Sequence, residues 1–240
     1  MRVALSSSSF RRPLAAGVVT QLEWVERCAS ALDVDGVLVA TADFPRSDPD
    51  YVAQVRKVAV DLGIVPFGVD APGLLDPATL PEQRAAMLSL AARFGASVAR
   101  TTLPPPGEVP PATFAATVLV AKAVSKEAKA ANLTIVVPPC LGTLGADLAG
   151  VRHLLKDVDS AWLRACPPVL ANGERGARGP FPAVVATPAD DPVAVVSAAG
   201  GSWIVLELPL AEAPWEPARA AIARLRDAAA EARLGARAGK

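Results

Sequence analysis

The chain has 240 residues and a mass of 24.6 kDa, which suits a single large hydrophobic core and leaves no need for a second domain. A composition 52% hydrophobic and 20% charged, with mean hydropathy +0.34, excludes a disordered polyampholyte. Lys and Arg number 24 and Asp and Glu number 24, so the formal net charge is zero and no global field draws in nucleic acid or an anionic membrane.

Short runs rich in Val, Ile and Leu recur along the chain and read as strands of a parallel sheet: Val3 to Ser6, Gly36 to Thr41, Val65 to Asp70, Ser97 to Thr101, Thr134 to Val137, Trp162 to Cys166, Ala183 to Ala186 and Trp203 to Leu208. Helical stripes lie between them. Leu22, Val25, Cys28, Ala29 and Leu32 share one helix face, behind a capping box of Thr20 and Glu23. Val52, Val55, Ala59 and Leu62 repeat the stripe from an Asp48-Pro49 start to a stop at Gly63. Met87, Ala91 and Phe94 precede Gly95, while Phe114, Val118, Ala121 and Ala128 precede Asn132. Leu148, Val151, Leu155 and Val158 form a further stripe, and Ile222, Leu225, Ala229 and Ala232 close the series.

Eight strands alternating with helices predict an α/β fold, a single (β/α)8 barrel over residues 1–234 with a flexible tail at 235–240. Asn172, Gly173, Gly176, Gly179 and Pro180 break any long helix, so the helix between strands 6 and 7 is expected to be short or missing over Val169 to Pro182. The first strand runs into Ser6 to Ser9 and Phe10 without GxGxxG, so a dinucleotide-binding reading loses its best support, and no cofactor is expected. Three cysteines without CxxC spacing fit a reducing, cytoplasmic location, and no apolar stretch is long enough to span a membrane. The expected partner is a small polar metabolite such as a sugar or polyol, with a homo-oligomer or an active relative as further partners and neither nucleic acid nor membrane among them.

Barrel chemistry takes place where strands end, so the candidates are the polar residues there. Glu207 leaves the last strand between Leu206 and Leu208, which places its carboxylate toward the mouth and makes it the candidate catalytic residue. Its competing role is a buried ion pair with Arg100. Arg100, Asp70, Asp43, Ser7 and Thr101 are candidate ligand contacts, against capping roles for the aspartates and the threonine. His153, the single histidine, falls opposite its helix's apolar stripe and so faces solvent. Cys140 and Cys166 follow strands with no histidine nearby to activate them and read as packing residues.

Several phrases recur in a known order: Ser7-Ser8-Ser9-Phe10 after strand 1, Asp35-Gly36-Val37 into strand 2, Asp48 to Tyr51, Gly95-Ala96 with Arg100 around strand 4, Val158-Asp159-Ser160 before strand 6, and Trp203-Ile204-Val205-Leu206-Glu207. Together they resemble the sugar phosphate isomerase/epimerase superfamily, the xylose isomerase-like TIM barrels, over most of the chain. That resemblance implies a divalent metal held by Glu, Asp, His and Glu at the strand ends, beside carboxylates that move protons next to a carbonyl. This chain departs from the pattern: Pro138 falls at the strand-5 ligand, Ala165 to Pro168 at the strand-6 ligand, Ala186 to Pro188 at the strand-7 ligand, and Leu38 at the strand-2 carboxylate. Only Glu207 keeps a ligand-type side chain, so no metal is expected. The expected function is a barrel without the family metal that binds a hydroxylated or carbonyl ligand. A metal-independent isomerase or epimerase with Glu207 as base and Arg100 steadying an enediolate, and a non-catalytic interaction subunit, are the alternatives.

Overall fold

Each of the eight apolar runs forms a strand: β1 (Arg2–Ser6), β2 (Gly36–Ala40), β3 (Val65–Asp70), β4 (Val98–Arg100), β5 (Thr134–Val137), β6 (Leu163–Ala165), β7 (Ala183–Ala186) and β8 (Trp203–Leu206). The computed structural model describes residues 1–167, 183–211 and 213–238. All strand pairs are parallel, in the order β6-β5-β4-β3-β2-β1-β8-β7, and the sheet curls into a TIM-barrel fold. The edge strands β6 and β7 meet through a backbone hydrogen bond, 3.2 Å from the Val185 N–H to the Pro167 carbonyl. Close by, the Cys166 thiol donates to the Ala183 carbonyl at 3.3 Å. Pro167 has no N–H to return, so this seam lacks the regular ladder that a uniformly closed barrel would have.

The helices are α1 (Arg11–Ala15), α2 (Gln21–Ser30), α3 (Pro49–Asp61), α4 (Pro81–Phe94), α5 (Pro110–Ala130), α6 (Leu148–Val158), α7 (Pro192–Ala199) and α8 (Trp215–Ala238). The capping box of Thr20 and Glu23 is formed at α2, and the Asp48 carboxylate accepts the Tyr51 N–H at the start of α3. Gly95 ends α4 in the left-handed conformation at φ 83°, which a side chain would resist. Sequence spacing does not reveal α7, because Pro192–Ala199 is apolar almost throughout and has no polar face to set a period. α8 continues to Ala238, past Gly235 where the sequence marks the start of a tail. Val169 to Pro182, where the sixth helix is expected to be short or missing, lies outside the described residues. Among the described residues no helix is long and apolar enough to cross a membrane.

Two apolar layers result. The larger lies between helices and the outer face of the sheet and includes Val3, Leu5, Trp24, Val52, Phe94 and Ile204. The smaller fills the barrel itself with Ala4, Leu38, Phe67, Val98, Val136, Cys166, Ala183, Trp203 and Val205. This inner layer is the floor on which the mouth rests.

Candidate functional site: an arginine between two carboxylates

Alternation along β8 sends Trp203 and Val205 into the barrel, and Glu207, two residues on, reaches the mouth. Alternation along β4 does the same for Val98 and Arg100, and then for Thr102. β3 departs from this rule. Its pairing with β2 steps from Val37 opposite Pro66 to Leu38 opposite Gly68, leaving Phe67 as the extra residue of a β-bulge. In a regular strand Phe67 and Asp70, three apart, would face opposite ways. The bulge lets Phe67 pack inside the barrel while Asp70 turns to the mouth.

Arg100 holds the centre of this arrangement. Its Nε donates to Asp70 Oδ1 at 2.9 Å and its Nη2 to Asp70 Oδ2 at 2.8 Å, a two-point grip that matches guanidinium and carboxylate geometry. The same Nη2 donates to Glu207 Oε1 at 2.5 Å. The side chains grade outward in exposure, from Arg100 at 7% through Asp70 at 22% to Glu207 at 31%. Burial by itself would lower the Arg100 pKa, but the hydrogen bond and charge of Asp70, then those of Glu207, raise it above the ordinary value. The guanidinium is therefore a permanent cation. Beside it, burial pushes the Cys166 thiol up to about 12, which makes this cysteine an inert packing group.

These three residues, with Thr102, Pro138, Pro139, Cys140 and Val185, line a pocket of about 250 Å³. Glu207, Arg100 and Asp70 thus come together at the mouth as the sequence predicts. Arg100 pairs with Glu207 as the sequence leads one to expect, and the structure adds Asp70 as its two-point partner. Thr101 belongs elsewhere: it is buried, and its hydroxyl donates to the Thr102 carbonyl at 3.3 Å. Thr102 is the threonine that lines the pocket, and β4 alternation from Arg100 was the signal that could have found it. Ser7 is also buried; its hydroxyl accepts the Ala40 N–H at 2.8 Å and donates to Asp43 Oδ2 at 2.5 Å. It ties the loop after β1 to the loop after β2 and does not line the 250 Å³ pocket. Ser8 adds a long contact, 3.5 Å, from its hydroxyl to Asp70 Oδ2. His153 lies on the exposed side of α6, stacked on Phe114 at 4.5 Å, as its place opposite the apolar stripe implies.

Burial raises the Asp43 pKa above the ordinary aspartate value; the Ser7 hydroxyl and Arg11 pull it down, and the charge of Asp70 adds to the rise. Asp43 therefore holds its proton more tightly in the native than in the unfolded chain. Its contribution to stability falls as pH rises from the unfolded to the native value. The Asp43→Asn variant should gain stability relative to the parent chain as pH rises through that acid window. Denaturant unfolding of both proteins at a series of pH values checks this, and a difference that does not vary with pH would contradict it.

No protein-family model matches the sequence, and no curated protein sequence matches it. Solved structures do match. A D-psicose 3-epimerase with D-tagatose from Clostridium cellulolyticum aligns over 95% of this chain and 99% of its own, with TM-score 0.72 and 12% identity. The chain shares its fold. A 3-keto-D-glucoside 4-epimerase from E. coli aligns over 95% and 99%, with TM-score 0.68 and 13% identity. An AP endonuclease, family 2, from Brucella melitensis aligns over 86% and 92%, with TM-score 0.68 and 16% identity.

Proposed function

We propose that this barrel binds a small hydroxylated or carbonyl-bearing metabolite, a sugar or polyol, at its C-terminal mouth, and that it does so without a divalent metal. The observation that carries the reading is the Arg100 guanidinium, a fixed cation held between the two mouth carboxylates Asp70 and Glu207. A hard dication needs several free oxygen or imidazole donors. Here the two carboxylates already neutralise a cation, and Pro138, Pro139 and Val185 offer no donor side chain to the same pocket. Among the described residues no group of three or more His, Cys, Asp or Glu is placed to hold a metal ion. The residues present do not fit the ion that the sequence resemblance implies.

The same residues do fit a polyol or hydroxy-carbonyl compound. Glu207 is the most exposed of the three and accepts hydrogen bonds from hydroxyls, while Pro138, Pro139 and Val185 give apolar contact to C–H faces. A volume of about 250 Å³ confines the ligand to metabolite size. Two of the proteins sharing the fold are described as sugar epimerases, which supports this ligand class. The exposure of Glu207 also favours a second reading, metal-independent proton transfer beside a carbonyl with Glu207 as base and Arg100 steadying the enediolate.

The test is thermal shift and calorimetry with D-tagatose, D-fructose, ribitol and dihydroxyacetone, on the parent chain and on Glu207→Gln. At least one compound should raise the melting temperature of the parent, and Glu207→Gln should abolish the effect. Metal analysis of the purified protein should find no stoichiometric Zn, Mn, Mg or Co. A tightly held metal at the strand ends, or binding indifferent to Glu207, would overturn the proposal. Deuterium appearing beside the carbonyl of a bound ketose in heavy water would select the proton-transfer reading.

A further inference from the structure

The charges at the mouth do not balance. Asp70 and Glu207 bring two negative charges to the single positive charge of Arg100, so one negative charge is in excess. Among the described residues no second cation lines the pocket. Arg11, on α1, does not offset the excess, because it stands 3.8 Å from Asp43 and answers that carboxylate.

Two polar atoms of the same triad are also open. Arg100 donates through Nε and Nη2, and among the described residues nothing accepts from Nη1; Glu207 accepts at Oε1, and nothing donates to Oε2. Neither atom is among the buried polar atoms left without a partner, so both keep accessible surface, and both residues line the pocket. The Arg100 side chain is only 7% exposed, so its open donor is presented to the pocket. A guanidinium is planar and rigid, which sets Nη1 directly beside Nη2 and hence beside Glu207. An unused donor and an unused acceptor are therefore neighbours, at the point where the excess negative charge lies.

We infer that the mouth selects a 1,2-amino alcohol, such as a 2-amino sugar: the ligand ammonium donates to Glu207 Oε2, and the hydroxyl oxygen on the adjacent carbon accepts from Arg100 Nη1. This rests on the mouth being a metabolite site and narrows the class of its ligand. A cationic ligand cancels the excess charge, a neutral sugar leaves it in place, and a phosphorylated sugar adds to it where partial burial weakens screening. An ammonium needs one counter-charge and acceptors for its protons, which the pocket supplies, whereas a hard dication needs several free donors, which it lacks. The hydroxyl is required as well, since an ammonium has no acceptor and would by itself leave Nη1 unmatched.

The test is calorimetric titration of the full chain with D-glucosamine, D-glucose and D-glucose 6-phosphate, which differ in charge, and with cyclohexylamine, which keeps the ammonium and lacks the hydroxyls. D-glucosamine should bind at least about tenfold more tightly than D-glucose, the margin of a charge-assisted over a neutral hydrogen bond. Cyclohexylamine should bind at least about tenfold more weakly than D-glucosamine, and D-glucose 6-phosphate more weakly than D-glucose. Raising the salt from about 50 mM to about 500 mM should narrow the advantage of the amine. Glu207→Gln, whose amide oxygen still accepts from Arg100, should abolish that advantage. A neutral or phosphorylated sugar binding as tightly as D-glucosamine, cyclohexylamine equalling it, or an amine preference that survives in Glu207→Gln would overturn this inference and leave the mouth a metabolite site. Failure of every one of these compounds, and of the ketoses and polyol named above, to bind would overturn the mouth reading and this inference together.

Discussion

Asp70→Asn is expected to lower the unfolding free energy by about 3 to 5 kcal/mol, the cost typical of removing one partner from a buried charge pair. Arg100 is the most buried of the three mouth charges, and Asp70 satisfies it at two points. An asparagine there turns an N–H donor toward a guanidinium that has only donors. Glu207→Gln behaves differently. The amide oxygen still accepts from Nη2, the Asp70 grip survives, and the group replaced is the most solvated of the three, so a loss of about 1 kcal/mol is expected. Arg100→Met removes the cation that lies between the two carboxylates. Combining it with Asp70→Asn should cost less than the sum of the two single changes, because the double variant strands no cation. Urea unfolding of these four variants measures the whole pattern. Equal, large losses in Asp70→Asn and Glu207→Gln would mean that both carboxylates hold the barrel together, and would remove Glu207 from the candidate site.

Trp203→Ala is expected to cost about 3 to 5 kcal/mol, the usual cost of truncating a buried aromatic. Trp203 begins β8 and fills the end of the barrel opposite the mouth, its ring 4.6 Å from Phe67 and 4.6 Å from the Arg2 guanidinium. It fits there because position 36 is glycine. A Cβ on Gly36 would come within 2.9 Å of both the Trp203 ring and the Val65 carbonyl oxygen, and the second of these is backbone that cannot rotate away. Gly36→Ala should therefore destabilise as well, and Trp203→Phe should recover part of the loss in Trp203→Ala, since it restores a ring against Phe67. Thermal and urea unfolding of the three variants give the comparison. A loss below about 1 kcal/mol in Trp203→Ala would show that the inner layer does not depend on this ring.

Amino-acid order alone determined the eight strands and the helices α2 to α6 and α8, though not α1 or α7. The Val- and Ile-rich runs, the Thr20 and Glu23 cap, the Asp48-Pro49 start and the Gly95 stop act through neighbours within one or two turns, so their structure is written locally. The mouth placement of Glu207 and Arg100 was legible for the same reason, since strand alternation has a period of two. Tertiary structure decided the rest. The bulge at Phe67 arises from the register between β2 and β3, and it alone turns Asp70 inward to become the principal partner of Arg100. Ser7 looked like a mouth hydroxyl, yet the end of β2 and the loop that follows it, 33 and 36 residues away, take up its hydrogen bonds. The irregular seam at Pro167 likewise depends on segments distant in the chain. Register, loop convergence and cavity shape come from packing between residues far apart in sequence, and local pattern carries no record of them.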